Sequence, residues 1–267
     1  MSRVALVSDI HGNVTALEAV LADIERRGIE RIICLGDLVG KGPRSDLAVD
    51  ICRDRCEFVL RGNWDDFIGE ESPTPVSSWY QAQLGSERLA YVGSLPLCVD
   101  RMVSGRRLRL FHASEVSVHQ RVLMQAGEER HLAMFRSTDL TGPGPTPDIV
   151  GYGDIHRAFV MSYRTLHEGR ADRALHQTLF NTGSVGNPLD SFEASYAVIE
   201  GDFDGNVEPV RSVPVDPARH PFSIQLLRVA YDIERELEVA RAMDMPNYEA
   251  YEFELRTGMY AGALRSR

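Results

Sequence analysis

The sequence is almost without lysine and has no long apolar run. Lys41 is its single lysine, so 28 of its 29 basic residues are arginines. The 39 acidic residues outnumber them and give a formal net charge of −10, a balance that argues against binding long nucleic acids or an anionic membrane. The apolar stretch near the start, residues 4–7, is too short for a transmembrane helix or a signal peptide. We therefore expect a cytoplasmic protein.

Cysteine is also scarce, and its spacing excludes a cysteine-based scaffold. Cys34 lies inside an apolar run, and Cys52 and Cys56 are four residues apart with no second pair of matching spacing. Neither a disulfide framework nor a four-cysteine zinc site is therefore predicted, and we interpret the thiols as structural.

The first sixty residues alternate between short apolar runs and helical periodicity. At 43% hydrophobic and 25% charged, the composition is that of an ordinary globular protein. Strands are predicted at 4–8, 31–35 and 57–60, and helices at 14–27 and 45–53. This alternation predicts a parallel sheet with right-handed crossovers.

The rest of the chain favours strands, with helices before and after them. Alternating arginine and leucine over 107–111 predicts a strand with one wet face. Since no linker divides the chain, we expect a single α/β domain over 1–267, with two packed sheets and a helical tail from about 232. The other predicted helices are 79–92 and 128–135, and the other predicted strands are 149–151, 159–163, 178–181, 196–200 and 223–229.

Metal-binding residue types follow five of the predicted strands. They are Asp9 and His11, Asp37, Asn63, His112, and Asp154 with His156. Asp37 follows His11 by 26 residues and Asn63 follows Asp37 by 26, which is a spacing for successive strand–helix units. Mixed nitrogen and oxygen ligands suit Mn, Fe, Zn or Ni better than Ca.

These blocks resemble the calcineurin-like metallophosphoesterases over roughly residues 4–200. The family motifs D-x-H, G-D, G-N-H-D/E, H and G-H-x-H are matched in order, and the segment NTGSVGNPLD at 181–190 is similar to another family block. The matching residues are Asp9 and His11, Gly36 and Asp37, Gly62 to Asp65, His112, and Gly153 to His156.

The resemblance implies a four-layer α/β/β/α sandwich of two mixed sheets flanked by helices, with two divalent ions, Mn or Fe before Zn or Ni. One ion would be held by Asp9, His11, Asp37 and His156, and the other by Asp37, Asn63, His112 and Asp154. Asp37 would bridge the ions, and a hydroxide between them would attack phosphorus.

Two positions depart from the family pattern. Asp154 stands where the common motif has histidine; a carboxylate preserves a ligand and favours Mn or Fe, and the alternative is a weak or empty second site. Trp64 stands where many members have the histidine that protonates the leaving group, and an indole cannot do so. Asp65 and His119 are the candidate replacements; alternatively Asp65 orients a ligand from behind and His119 is a surface residue.

The sequence indicates less about the substrate than about the metal site. Lys41, Arg61 and Arg157 lie beside the metal motifs and could bind phosphate oxygens, although structural salt bridges explain each equally well. The absence of the leaving-group histidine favours small phosphodiesters over alkyl monoesters as substrates. The first hypothesis is thus a dinuclear metal-dependent phosphoesterase. The alternatives are a scaffold or binding protein without turnover, and a mononuclear hydrolase or metal sensor if Asp154 does not ligate.

Overall fold

The computed structural model describes residues 1–70, 74–167, 170–203 and 220–264. Within these ranges the strands are Ser2–Val7 (β1), Arg31–Cys34 (β2), Phe58–Val59 (β3), Cys98–Val103 (β4), Arg106–Phe111 (β5), Ile149–Tyr152 (β6), Ala158–His167 (β7), Arg170–Thr182 (β8), Ala194–Gly201 (β9) and Ser223–Val229 (β10). The helices are Val14–Arg26 (α1), Ser45–Arg55 (α2), Asn63–Phe67 (α3), Pro75–Ser94 (α4), Glu128–Ala133 (α5), Ile233–Ala242 (α6) and Tyr248–Thr257 (α7), followed by a 3₁₀ helix, Ala261–Leu264. None of these helices has both the length and the apolar content that crossing a bilayer requires.

The first sheet has the strand order β10-β9-β1-β2-β3. β1 pairs parallel with β2, and β2 with β3, which confirms the pairing predicted from the alternation of strands and helices. The crossover helix α1 begins where the side chain of Asn13 accepts a hydrogen bond from the Ala16 amide at 3.0 Å. It ends before Gly28, whose φ of 63° lets the chain turn back to β2.

The second sheet has the strand order β4-β5-β6-β8-β7. Its three inner strands run parallel, and β4 and β7 pair antiparallel at the two edges. Strand β4 was not predicted from the sequence, because Asp100 and Arg101 interrupt its apolar pattern.

The two sheets pack face to face, and helices cover their outer sides. Buried residues of both sheets form one apolar cluster, with Leu6 and Leu35 on one side and Leu110 and Phe180 on the other. A second cluster joins the outer side of the first sheet to α1 and α2, and a third lies outside the second sheet. The predicted four-layer α/β/β/α arrangement is therefore confirmed.

The prediction that one face of β5 is solvated is wrong at Arg109, near the middle of the strand. Leu108 and Leu110 face the core as predicted, but Arg109, on the opposite face, is only 1% exposed. Its guanidinium pairs with both carboxylate oxygens of Asp100 on β4, at 2.9 and 3.0 Å. Because the neighbouring strand supplies this ion pair, a charged side chain is accommodated where alternation predicted solvent.

The helical tail packs against the first crossover through a buried carboxylate. Asp232 caps α6, as the predicted start at about 232 requires. Glu236 is fully buried and accepts hydrogen bonds from Thr15 Oγ1 at 2.6 Å and Arg44 Nη2 at 2.5 Å. These contacts hold α6 against α1 and the loop that follows β2, and the Tyr251 hydroxyl of α7 donates to the same carboxylate at 3.3 Å.

Candidate metal centre

The seven predicted metal ligands lie at one edge of the two sheets, where the carboxyl ends of their strands meet; Asn63 is the first residue of α3, and the other six lie in loops. They are, in chain order, Asp9 and His11 after β1, Asp37 after β2, Asn63 after β3, His112 after β5, and Asp154 and His156 after β6. Hydrogen bonds cross between the sheets here: the Asp154 amide donates to Asp9 Oδ2 at 3.1 Å. Two sheets thus contribute to one site.

Five of these residues form two overlapping groups of ligand atoms. In each group, the ligand atoms lie within 4.8 Å of one another. The first group is Asp9, His11 and His156, and the second is Asp9, Asp37 and His112. In the first, His156 Nε2 lies 3.2 Å from Asp9 Oδ1 and 3.1 Å from His11 Nε2. All five side chains are buried.

Asp9 belongs to both groups, and Asp37, a member of the second, also approaches the first. Its Oδ2 is 3.5 Å from His11 Nε2, and its Oδ1 is 3.4 Å from His112 Nε2. Asn63 adds an amide oxygen to the second group, since its Oδ1 lies 3.1 Å from His112 Nε2. Asp37 can therefore offer one oxygen to each of two cations.

Backbone carbonyls orient all three histidines. The Nδ1 atoms of His11, His112 and His156 lie 3.0, 2.9 and 2.5 Å from the carbonyl oxygens of Val39, Leu35 and Asn187, respectively. Because a carbonyl can only accept, each Nδ1 carries a proton and each ring turns its Nε2 toward the acidic residues, where a deprotonated Nε2 can offer its lone pair to a metal. This is the orientation that a metal-binding histidine requires.

The electrostatics of the centre also suit a cation. Oδ1 of Asp9 is buried and has no hydrogen-bond partner. Burial opposes the ionisation of Asp9, but the charge of His156, followed by the charges of His112 and His11, outweighs it and holds the Asp9 pKa below its usual value. Burial raises the pKa of Asp37 and lowers the pKa of His11. The donor set of carboxylates, imidazoles and an amide matches what Mn, Fe and Zn accept.

The backbone is strained at the same positions. Asp9, His11, Asp37, Asp154 and His156 are five of the nine non-glycine residues with positive φ in the described ranges. Such conformations persist where surrounding contacts hold them, and they concentrate at functional sites.

Close approach explains two of the motif glycines. A Cβ on Gly62 would lie 2.0 Å from Asp37 Oδ1, and one on Gly153 would lie 2.0 Å from Ser8 Oγ and 2.6 Å from Asp9 Oδ2. Any side chain at either position would displace a proposed ligand.

The 181–190 segment supports the site from behind. Ser184 Oγ donates to the Asp9 carbonyl at 2.8 Å, and the Gly186 amide donates to the same oxygen at 2.9 Å. Asn187 supplies the carbonyl that orients His156. This segment therefore fixes the backbone of one ligand and the ring of another.

Asp154 contacts Asp9 through its backbone amide, and its carboxylate is paired with Arg121. Its Oδ2 and Oδ1 each lie 3.0 Å from Arg121, from Nε and Nη2, respectively. It belongs to neither group of ligand atoms found in the described chain. Its ligation of a metal is untested and stays a prediction.

Asp65 is fully occupied by backbone amides. Its carboxylate accepts from the amides of Asp37 at 2.7 Å, Leu38 at 3.0 Å and Gly62 at 2.9 Å. Burial and the nearby charge of Asp37 raise the pKa of Asp65 to about 7. Asp65 does not line the cavity described below, so its contacts support the alternative function of orienting the loop that carries Asp37.

His119 and Arg61 lie together beside the site. Nε2 of His119 is 2.8 Å from Asp66 Oδ2, and its side chain is 51% exposed. Arg61 Nη1 lies 3.3 Å from Asp66 Oδ1 and donates to the Gly93 carbonyl. Neither residue lines the cavity.

Trp64 packs at the mouth of the site. Its ring meets His11 edge to face, with centroids 5.9 Å apart, and it also contacts Phe67 and Tyr80. A Cβ on Gly40 would lie 2.1 Å from the indole, so the ring fills the space above that glycine.

A cavity of about 620 Å³ opens onto the centre. Asp37, Asp154 and His156 form its floor, and Lys41 and Arg157 also line it. Lys41 Nζ is engaged by Asn187 Oδ1 at 2.9 Å and Glu254 Oε2 at 3.1 Å, whereas Arg157 is exposed. The wall is largely apolar and aromatic; it includes Trp64, Val76, Tyr80, Leu123, Met124, Tyr251 and Tyr260.

Sequence reasoning missed two parts of this cavity. Arg121 lies in a loop that has no motif, and nothing in the sequence pairs it with Asp154. Tyr251, Glu254 and Tyr260 come from α7 and the residues after it, and helical periodicity there did not indicate a cavity wall. Both parts come from chain-distant segments that only the fold brings to the site.

Comparison with known proteins agrees with this architecture. The sequence model of the calcineurin-like phosphoesterase superfamily domain matches residues 2–203. An uncharacterized protein of Methanocaldococcus jannaschii, MJ0912, is 30% identical over 259 residues, which is 89% of this chain and 91% of that protein. The phosphodiesterase YfcE of Escherichia coli is 24% identical over 202 residues, 76% of this chain and 89% of that protein.

A solved structure extends the likeness to the whole fold. A metallophosphoesterase from Sphaerobacter thermophilus superposes with a TM-score of 0.68 at 25% identity, covering 96% of this chain and all of that one. The matched family region ends before α6, so the C-terminal wall of the cavity lies outside it. By the span of the family match and the arrangement of its sheets, this chain belongs to the calcineurin-like phosphoesterase superfamily.

Proposed function

We propose that this protein is a metal-dependent phosphoesterase that holds two divalent ions and hydrolyses small phosphodiesters. The observation that carries the proposal is the pair of overlapping buried ligand groups, with Asp37 presenting one oxygen to each. Bound divalent ions would activate a water molecule and neutralise the charge that develops on the phosphoryl group. Mn or Fe suits the oxygen-rich donor set best, with Zn and Ni as alternatives.

The ligands divide between the two ions according to their positions. Asp9, His11 and His156 would hold the first ion, and Asn63 and His112 the second, with Asp37 shared. Carbonyl contacts turn Nε2 of the three histidines toward the proposed ions, and Asp65 fixes the backbone of Asp37. This chain therefore supplies a preorganised set of lone pairs, which is what lowers the cost of binding ions.

The size and lining of the cavity support a small ester as the substrate. Its volume of about 620 Å³ falls in the range of small-molecule sites. The apolar wall suits an aryl or other planar group, and Lys41 and Arg157 offer positive charge near the floor. The net charge of −10 argues against a long nucleic-acid substrate.

The preference for aryl phosphodiesters over alkyl monoesters follows from Trp64. No proton donor stands at this position, and neither of the two substitutes considered, Asp65 and His119, lines the cavity. Without an acid, a site acts best on esters whose leaving group is already a weak base.

The test is hydrolysis by protein stripped with a chelator and reloaded with Mn, Fe, Zn, Ni or Mg. Bis(p-nitrophenyl) phosphate, p-nitrophenyl phosphate and glycerol phosphate report aryl diester, aryl monoester and alkyl monoester turnover. We expect turnover of the aryl diester with two bound ions per chain, and its loss in Asp37→Asn. Protein that binds two ions but hydrolyses none of the three would instead be a scaffold, and protein that binds one ion would contradict the dinuclear centre.

A further inference from the structure

Asp154 and Arg121 form a side-on bidentate ion pair at the edge of the centre. Nε and Nη2 of the guanidinium each lie 3.0 Å from one carboxylate oxygen. The carboxylate is 4% exposed, whereas the arginine side chain is 56% exposed. The Asp154 carboxylate is therefore buried while the Arg121 guanidinium is accessible. The negative charge of Asp154 is already balanced by Arg121.

The pairing leaves one edge of the guanidinium open. A guanidinium has five N–H groups, and a side-on contact through Nε and Nη2 uses only two of them. The remaining edge, formed by Nη1 and the second Nη2 proton, has no acceptor in the described part of the chain, and Arg121 lines the cavity with Asp37 and His156. An open edge of two parallel N–H groups matches two oxygens of a phosphate.

The loop that carries Arg121 is held in place. The next residue, Val122, is 1% exposed and packs beneath the second sheet, and its carbonyl accepts from Tyr152 Oη at 2.7 Å. The Leu123 carbonyl lies 3.0 Å from His131 Nε2. Both the backbone and the far end of the arginine are therefore fixed, so little conformational entropy is lost when its free edge binds a ligand.

The other cations near the floor lack this arrangement. Lys41 is engaged by Glu254 and Asn187, Arg61 faces Asp66 outside the cavity, and Arg157 has no partner that orients it among the described residues. Arg121 alone of these four combines a fixed guanidinium with an open edge in the cavity.

We propose that Arg121 is a substrate-binding residue that holds the phosphate oxygens of the ester, and that Asp154 is the positioning residue that aims it rather than a ligand of the second ion. The inference rests on the proposed phosphoesterase function and deepens it. Arg121, which lies outside the motifs, would then bind substrate, and Asp154 would serve to position Arg121 instead of binding metal.

The experiment compares Arg121→Gln, Arg121→Lys and Asp154→Gly, together with the double variant Arg121→Gln/Asp154→Gly. Glycine is chosen because residue 154 has a φ of 64°, which glycine adopts without strain. Arg88→Gln is the matched control, since Arg88 makes the same side-on pair with Asp50 away from the cavity. The measurements are metal content after loading with Mn, the calorimetric Kd of inorganic phosphate, and kcat and KM for bis(p-nitrophenyl) phosphate.

We expect Arg121→Gln to weaken phosphate binding and raise KM by roughly 10- to 100-fold, the factor for losing a hydrogen bond between charged groups. Metal content should stay at the wild-type level in every variant. Asp154→Gly should weaken phosphate binding less, because the arginine remains but is no longer aimed. The double variant should be no worse than Arg121→Gln alone, since the aspartate acts through the arginine.

Two outcomes would overturn the proposal. Loss of one ion in Asp154→Gly, with both ions retained in Arg121→Gln, would make Asp154 a metal ligand. An unchanged phosphate Kd in Arg121→Gln would remove the arginine from the substrate site. If wild-type protein binds phosphate in an Arg121-dependent way but hydrolyses no ester, the proposed activity fails and the assignment of Arg121 stands.

Discussion

The Nε2 atoms of His11 and His156 lie 3.1 Å apart inside the protein. Both rings use Nδ1 on a backbone carbonyl, so in their neutral forms two lone pairs face each other. A cation between them would remove this repulsion. In the metal-free protein a proton on one ring can bridge the two nitrogens instead, so a cation would compete with a proton at this point.

Ion binding should accordingly raise thermal stability. Added Mn at 100 times its Kd should stabilise the folded state by about 2.7 kcal/mol, because only the folded chain assembles the ligands. The measurement is the Tm of chelator-treated protein across a series of Mn concentrations, with Ca as the comparison ion. Equal Tm values with and without Mn would contradict a preorganised centre.

Asp37→Asn should be the most damaging single change to the centre. The variant loses the carboxylate that faces both groups, so we expect metal affinity and turnover to fall by more than about 100-fold, beyond the effect of losing a supporting residue. The metal-free fold should be as stable as wild type or more so, because burial already disfavours this charge. Metal content, kcat and metal-free Tm check this, with Asp50→Asn as the control; a variant with two ions and normal turnover would refute it.

Asp65→Asn tests the supporting carboxylate. An amide can present only one oxygen to three backbone donors, so buried N–H groups lose their acceptor at a cost of about 1–3 kcal/mol. Unfolding by urea should show this loss, together with weaker metal binding. The adjacent Asp66→Asn is the control, since its exposed pairs with Arg61 and His119 are worth less than about 1 kcal/mol. Equal unfolding free energies in the two variants would exclude the positioning role.

The sequence predicted the parallel half of the fold well because its strands are simple. β1 and β2 are short, continuous apolar runs separated by an amphipathic helix capped by Asn13 and ended at Gly28. Arg109 could not be read in the same way. Alternation with leucine is compatible both with a solvated face and with a buried ion pair, and only the neighbouring strand with Asp100 decides between them.

The residues of the site, likewise, could be predicted from the sequence only in part. Ligands at strand ends could be predicted, because parallel strands bring their carboxyl ends to one edge. The partner of Asp154 could not, because Arg121 lies 33 residues away in an irregular loop. Nor could the cavity wall formed by Tyr251 and Tyr260, since helical periodicity indicates a buried face without saying what lies against it.

The C-terminal wall should affect substrate affinity without affecting metal. Tyr260 lines the cavity, is 56% exposed and lies over Lys41, with Nζ 5.8 Å from its ring centroid. Tyr260→Ala should raise KM for an aryl diester by about 3- to 10-fold, because an aromatic contact is worth about 0.5–1.5 kcal/mol. Metal content and kcat should stay unchanged. Met259→Ala is the control, since that side chain is equally exposed but does not line the cavity; equal KM values would remove this wall from the substrate site.

The preference for an aryl diester over an alkyl monoester should depend on Trp64. A general acid is typically worth about 10²–10⁴-fold for a strongly basic leaving group, and an indole provides none. Wild-type protein should therefore turn over bis(p-nitrophenyl) phosphate well and glycerol phosphate poorly. Trp64→His should raise kcat/KM for glycerol phosphate relative to the aryl diester, while losing some stability because the indole packs against Phe67 and Tyr80.

A second variant separates chemistry from packing in that experiment. Trp64→Phe keeps an aromatic ring against Phe67 and Tyr80 but adds no acid. It should lower activity toward both substrates in proportion, because it changes the packing beside His11 without changing proton transfer. A selective gain on glycerol phosphate in Trp64→His alone would identify the missing acid as the cause of the preference. If wild-type protein already prefers the alkyl monoester, another residue donates the proton and the diester preference fails; His119→Ala would then be measured first, since its imidazole is exposed beside the site.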